Sequence, residues 1–327
     1  MGVQFTKLIQ GQKIELKDLE NKKIAVDTFN WLYQFLSIIR QPDGSPLQDS
    51  QGRVTSHLSG LFYRSLKLME AGIQLAYVFD GEPPKIKAVG EKRRNTREEA
   101  KKEWEKALEE EDYEKAKKYA MRSTTLNKEI IESAKRLIEA MGLPCIQAPS
   151  EGEAMCSYIC AKKDAYAVAT QDYDSLLFGA PRIVRNLSLS QKTSEPEMVL
   201  LDESLKKLEL NREQLISLAI LIGTDYNPSG VRGLGPMKAL QRVKDKKTTK
   251  KIFEDVVWDF EVQPDEIIDF FKNPPVCEYK LGWKEPDAKK IKQIMCDQHE
   301  FSEERMDSAM QKLKENKPKN NSLGKWS

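Results

Sequence analysis

Short runs of small, aliphatic and β-branched residues recur along this chain, each followed by a stretch whose apolar positions fall at helical spacing. KKIAVD reads as a strand ending at Asp27, and TFNWLYQFLSIIR as the helix after it. HLSGLFYRSLKLMEAG keeps the helical period and stops at Gly72, and IQLAYVFDG is a second strand that ends at Asp80. NKEIIESAKRLIEAMG is a helix capped by Asn127 and terminated by Gly142; LPCIQAP and DAYAVATQD follow as further strands. Strands alternating with long helices predict an α/β fold, with a mostly parallel central sheet covered by helices on both sides. Ligands of such sheets gather beyond the carboxyl ends of the strands. Asp27, Asp80 and the pair Asp172 and Asp174 stand at those ends.

The rhythm breaks between about Lys85 and Arg122. EEAKKEWEKALEEEDYEKAKKYAMR is helical by propensity but offers only a thin apolar stripe, Trp104 with Leu108 and Tyr113 with Ala116. It predicts a partly exposed helical insertion, although an ordinary solvated helix pair has the same composition. Farther on, NLSLSQKTSEPEMVLLDESLKKLEL reads as a strand-and-turn excursion, and NREQLISLAILIGTDYN as a strong helix ending in Asp225. PSGVRGLGPMKALQRV opens a polar region of short helices, and the basic tail KLKENKPKNNSLGKWS reads as disordered apart from Leu323 and Trp326. The expected parts are an α/β core from 1–84 and 127–225, the insertion 85–126, a helical region 226–313 and the tail 314–327.

Composition narrows the chemistry. The 327 residues, 39% hydrophobic, suffice for one large core and a smaller packed region. Lys and Arg number 53 against 51 Asp and Glu, a net charge of +2 that hides an uneven distribution. Two histidines, His57 and His299, are too scattered for a histidine-based metal site or a nucleophilic triad. Five cysteines lack CxxC spacing, and Cys156 and Cys160 sit in an apolar stretch that reads as core. No apolar run is long enough to span a bilayer, so the expectation is a soluble protein of a reducing compartment, without a membrane partner.

Acids dominate the candidate chemistry. In APSEGEAMCSYICAKK, Pro149 and Ser150 announce a helix whose opening turn carries Glu151 and Glu153. Asp172 and Asp174 share a side if the backbone between them stays extended. Each acid taken alone reads first as a cap or a surface group. Seven together, Asp27, Asp80, Glu151, Glu153, Asp172, Asp174 and Asp225, would repel one another unless cations were bound. Oxygen ligands alone point to Mg²⁺, with Mn²⁺ as a substitute. One Mg²⁺ takes few carboxylates, so seven acids suggest two ions, roughly 3.5–4 Å apart if they act as a pair. Such a pair serves phosphodiester hydrolysis, but a phosphatase would use the same cluster.

An anionic substrate needs positive charge at the rim. PPKIKAVGEKRRNTR supplies Lys85, Lys87, Lys92, Arg93, Arg94 and Arg97 just after Asp80, unless the run is merely solvated. In GVRGLGPMK, Gly230, Gly233 and Gly235 permit a tight turn with outward N–H groups, and a helix starting near Pro236 adds its dipole. Such a turn holds a DNA backbone independently of sequence, with Arg232, Lys238 and Arg242 in support. Tyr33 either packs in the core or presents its ring for a base to stack on.

The segments VDTFNWLYQFL, TSHLSGLFYR, YVFDGEPP, APSEGEA, QDYDSLLFGAPR, GTDYNPSGVRGLGP and FSEERM resemble the flap endonuclease family, most of all its archaeal members. The resemblance runs from Met1 to Leu313, and its spaced acids make it specific. It implies a 5′-3′ exonuclease-like (PIN-like) fold and a nuclease with two Mg²⁺ ions on the seven acids. Such enzymes remove 5′ flaps from branched DNA at strand junctions in Okazaki-fragment maturation and repair, with 5′-3′ exonuclease activity besides. It further implies Lys87 and Arg94 beside the scissile phosphate, with Tyr33 packing on a nucleobase. The insertion resembles the family's helical arch, and GVRGLGP its helix–turn–helix duplex-binding element, which carries K⁺. The N-terminal amine and Gly2 resemble the family's start near the active site. The chain departs from the family pattern in two places. The excursion from Ser188 to Glu197 is shorter than in many archaeal relatives. In the tail, Asn320, Leu323 and Trp326 keep the sliding-clamp spacing, but Asn replaces Gln and Ser327 replaces the second aromatic, implying weakened docking to the clamp. The expected protein is a monomer in the archaeal cytoplasm, or in the nucleus were the source eukaryotic. A metal-dependent ribonuclease or phosphatase and an inert branched-DNA scaffold are the alternatives.

Overall fold

The structure is a computed structural model that describes residues 3–86, 99, 102–103, 125–189 and 194–315. Its sheet comprises β1 (Gln12–Lys13), β2 (Lys23–Asp27), β3 (Gln74–Phe79), β4 (Cys145–Gln147), β5 (Ala167–Ala169), β6 (Arg182–Arg185) and β7 (Glu197–Leu200). The spatial order is β1-β7-β6-β5-β2-β3-β4. Strands β2 to β6 run parallel, and only the β7 pairings with β6 and β1 are antiparallel. The mostly parallel, doubly covered sheet read from the sequence is therefore the fold observed.

Two cores lie on opposite faces of the sheet, and the strand period of two assigns residues to each. Ala25, Val78, Ile146, Val168 and Ile183 point to one face. They pack with α4 (Gly152–Ala161), α7 (Arg212–Ile222) and α10 (Pro264–Lys272). Ile24, Val26, Leu75, Tyr77 and Phe79 point to the other, against α1 (Thr28–Ile38), α2 (Ser56–Glu70) and α3 (Lys128–Ala140). Burial on both faces explains why the strands read as unbroken apolar runs. The caps also follow the sequence: Asn127 accepts the Ile130 N–H at 2.8 Å, and Gly142 has φ +72°.

Two strands are additions to the sequence reading, β1 and β6. The segment expected to be a strand-and-turn excursion holds β7 and then a helix, α6 (Leu201–Leu208). The order of the strands matters more than their number. The chain advances from β2 to β3 to β4, then returns so that β5 lies on the other side of β2. This reversal opens a crevice at the carboxyl ends of β2 and β5, the place where open α/β sheets bind ligands.

α5 (Asp174–Leu177), α8 (Pro236–Lys246), α9 (Thr249–Phe253), α11 (Ala288–Lys292) and α12 (Glu303–Glu315) complete the described helices used below. The scattered histidines serve packing. His57 is buried with its Nε2 2.8 Å from Ser133 Oγ, and the His299 Nδ1 lies 3.1 Å from Asp49. Among the described residues no helix is long and apolar enough to cross a membrane.

Trp31, 1% exposed, meets Phe35 and Tyr77 edge-on at centroid distances of 5.9 and 5.8 Å. Replacing it with alanine is expected to cost about 3–5 kcal/mol, read from urea unfolding. An unchanged midpoint would contradict this placement of the core.

Candidate active site

Asp27 ends β2 and caps α1, with its Oδ1 accepting the Asn30 N–H at 3.1 Å. Asp80 follows β3 and accepts the Gly152 N–H at 2.9 Å. A Cβ on Gly152 would stand 2.5 Å from Asp80 Oδ1, so glycine is what lets α4 begin against that carboxylate. Glu151 is the N-cap of α4 and Glu153 lies in its first turn. Asp172 and Asp174 follow β5, and Asp225 follows α7. The acids thus come from the ends of different elements and meet at the crevice beside β2 and β5.

Two local expectations need correction. The backbone between Asp172 and Asp174 does not stay extended: Tyr173 is helical (φ −84°, ψ −6°) and Asp174 starts α5. Asp174 consequently turns inward, 6% exposed, and accepts the Val3 N–H at 2.8 Å. Helix α7 stops at Ile222 rather than at Asp225. Gly223, at φ +121°, leaves the helix, and Asn227 ties the following turn by accepting from Thr224 Oγ1 at 2.7 Å and donating to the Ile220 carbonyl at 2.7 Å.

The electrostatics show the acids acting on one another. Burial, opposed by the Asn30 N–H and reinforced by Asp172, pushes the Asp27 carboxyl up to about 6. Burial first, then Asp172 and Asp225, pushes Asp174 up to about 7. Glu153 is raised well above the usual carboxylate range by burial and by Asp27, Asp174, Asp172 and Glu151. The Cys156 thiol beneath them is also raised, first by burial, with Asp27, Glu153 and Asp80 contributing. Burial is the largest cause of each shift, and the neighbouring acids add a part that a bound cation would relieve. The donor set, oxygen from carboxylates, suits a hard divalent ion. Among the described residues no three acids are gathered tightly enough to hold one ion unaided. That is compatible with Mg²⁺, which binds one or two carboxylates and keeps water in its remaining positions.

Groups that sequence reasoning missed hold this arrangement, and those touching the acids are neutral. Asn30 donates from Nδ2 to Asp172 at 3.1 Å and accepts the Gln171 N–H at 3.2 Å. Its position three residues after Asp27, inside the same helical turn, was the available signal. The Thr170 hydroxyl reaches Asp27 at 3.0 Å and Glu153 at 3.2 Å. Behind the turn, Arg185 donates to the Gln171 carbonyl at 3.2 Å and to Tyr173 Oη at 2.8 Å.

The rim residues divide. Lys85 is exposed just beyond Asp80, and Tyr33 is half-buried on α1. Arg232, Gly233, Gly235 and Lys238 are exposed, with open space around Gly233 and Gly235. Gly230 is buried instead: a Cβ there would stand 2.3 Å from the Ile222 backbone, so this glycine serves close packing against the end of α7. Arg242 turns toward the protein, donating from Nε to the Ile252 carbonyl at 2.7 Å. Gly2, Lys87, Lys92, Arg93, Arg94, Arg97, Asn320, Leu323 and Trp326 lie outside the described residues.

Two family models give the class of this reversed, mostly parallel sheet with acids at its carboxyl ends, the XPG type. The XPG N-terminal domain matches residues 1–101 and the XPG I-region residues 142–225. Flap endonuclease 1 of Thermococcus onnurineus is 53% identical over 326 residues, covering 96% of this chain and 95% of the relative. The solved flap endonuclease-1 from Methanococcus jannaschii superposes with a TM-score of 0.79 at 42% identity, covering 96% and 98% of the two chains. The catalytic core of Rad2, solved with a DNA substrate, shares the fold at TM-score 0.73 and 24% identity, covering 96% and 100%. The chain belongs to the flap endonuclease family, the structure-specific 5′ nucleases.

The raised carboxyls make a prediction about pH. Above about pH 4 the folded, metal-free protein keeps protons that the unfolded chain has lost, on Asp27 up to about pH 6 and on Asp174 up to about pH 7. Their contribution to stability therefore falls as pH rises through that window. In EDTA, Asp174→Asn should be more stable than the parent at pH 8, by on the order of 1 kcal/mol or more. The difference should vanish below about pH 4, where both chains carry a neutral side chain. Thermal unfolding across pH checks this; a constant difference would contradict it.

Proposed function

We propose that this nuclease cuts the backbone of branched DNA beside a 5′ flap junction with the help of two Mg²⁺ ions, for which Mn²⁺ can substitute. What supports this reading is the placement of the seven acids around the reversal of the sheet, with three carboxyls raised by burial and by their acidic neighbours. When bound, such ions supply an activated water and neutralise charge on the phosphoryl and leaving oxygens.

The chain's own residues position and steer. Asp80, Glu151, Glu153 and Asp172 are assigned to holding the ions, directly or through water, while Asp27, Asp174 and Asp225 complete the field. Lys87 and Arg94 are assigned to the scissile phosphate, the guanidinium offering a planar fork and the ammonium a mobile charge. Lys85, Lys92, Arg93 and Arg97 would draw the anionic strand toward an otherwise repulsive site. The exposed turn of Gly233 and Gly235, backed by Arg232 and Lys238, sits at the start of α8, where free N–H groups and the helix dipole favour a phosphate. It would grip duplex DNA without reading its sequence, with K⁺ able to join there. Tyr33 would pack on a base, and Asn320, Leu323 and Trp326 would give weak docking to a sliding clamp. The proposed setting is Okazaki-fragment maturation and DNA repair.

An end-labelled double flap, incubated with Mg²⁺ or with EDTA, tests the reading. Cleavage near the junction only with Mg²⁺ is expected. Faster turnover of an RNA hairpin or a small phosphomonoester would favour the ribonuclease or phosphatase alternative. Asp174→Ala should lower the single-turnover rate by a factor of about ten to a hundred. It should leave flap binding nearly intact, and equal loss of both would contradict a mainly catalytic role. Arg94→Ala should slow cleavage of the same flap; an unchanged single-turnover rate would remove it from the phosphate site.

A further inference from the structure

Thr170 stands at the exit of β5, 1% exposed, and its hydroxyl meets three acid-bearing segments at once. It lies 3.0 Å from Asp27 Oδ2 at the end of β2 and 3.2 Å from Glu153 Oε1 in the first turn of α4. It also accepts the backbone N–H of Asp172 at 3.2 Å. A hydroxyl has one proton to give and lone pairs to receive. The Asp172 amide takes an acceptor position, which leaves the proton for Asp27 or Glu153. One neutral side chain thus sets the mutual spacing of segments that reach the crevice from separate strands.

The choice of a hydroxyl has a physical consequence. A lysine or arginine in this place would orient the same carboxylates but also neutralise them, and so compete with a cation. A hydroxyl orients them and leaves their charge for the ion. Partners behind metal-holding side chains act in this way, and their loss typically costs 10–100-fold in metal affinity or activity.

We infer that Thr170 is a positioning residue of the nuclease, whose hydroxyl fixes Asp27, Glu153 and the Asp172 turn in the arrangement that receives divalent cations. This rests on the divalent-cation reading proposed above. Thr170→Val removes the hydroxyl while keeping a β-branched side chain of nearly the same shape, and Thr170→Ser keeps the hydroxyl. Two measurements apply: the Mg²⁺ concentration that half-saturates single-turnover flap cleavage, and Mn²⁺ binding to the DNA-free protein followed by electron paramagnetic resonance. For Thr170→Val, half-saturation should rise at least tenfold, more than the rate at saturating Mg²⁺ falls, and Mn²⁺ affinity should drop in parallel. Thr170→Ser should restore both to within about threefold. Wild-type half-saturation and Mn²⁺ affinity in Thr170→Val would overturn the inference, as would a loss confined to the saturated rate. Should Thr170→Val fail to fold, Thr170→Ala against Thr170→Ser decides by the same titrations. A parent protein that cleaves without divalent ions and binds no Mn²⁺ would instead sink the functional reading on which the inference stands.

Discussion

Like charges crowded at one end of one sheet are the constraint around which this molecule is built. Two unit charges 4 Å apart at an effective dielectric near 20 repel by about 4 kcal/mol. A domain's net stability is only about 5–15 kcal/mol, so a few such pairs left ionised would consume much of it. The fold tolerates them because protons, and in our reading cations, remove the repulsion. Neutral donors meanwhile fix the geometry: the Val3 amide on Asp174, the Gly152 amide on Asp80, and the Asn30 amide and Thr170 hydroxyl on Asp27. Orientation and charge compensation are thereby separated.

The sheet makes the separation feasible. Two apolar cores, one on each face, anchor β2 and β5 firmly enough that their carboxyl ends can carry groups which oppose folding. The reversal of strand order falls between them, at the edge that faces the acids. Beyond α7, an internal tie connects the acid site to the helices that follow. Arg212 donates from Nε to the Leu177 carbonyl at the end of α5 and from Nη2 to the Phe271 carbonyl of α10, at 2.9 and 2.8 Å. Tyr226, next to Asp225, packs on Phe270 and Phe271 with centroids 5.1 and 5.4 Å away. The C-terminal helices and the segments that carry Asp174 and Asp225 are thus tied together through packed side chains.

Much of this was legible in the sequence for a physical reason. A strand buried on both faces must be apolar throughout, so a charged residue at its end stands out, as Asp27 and Asp80 do. Gly72, Gly142 and Asn127 marked helix ends because φ > 0 and side-chain capping favour those residue types. The neutral supports were harder to read. Nothing near Val3 in the chain announces a hydrogen bond to Asp174, and Thr170 looks like one more β-branched residue of a strand. Gly230 misled in another way, since a glycine needed for close helix packing and one needed for a phosphate turn look alike in sequence. The reversal into α5 was hidden because a four-residue helix has no period to detect.

The central claim is that acids from distant parts of the chain meet to hold divalent ions. Crystals soaked in Mn²⁺ and measured at the manganese absorption edge test it most directly. The account predicts anomalous peaks among Asp27, Asp80, Glu151, Glu153, Asp172, Asp174 and Asp225, two when a flap strand is bound. Peaks confined to other surfaces, with this crevice empty at saturating Mn²⁺, would contradict it.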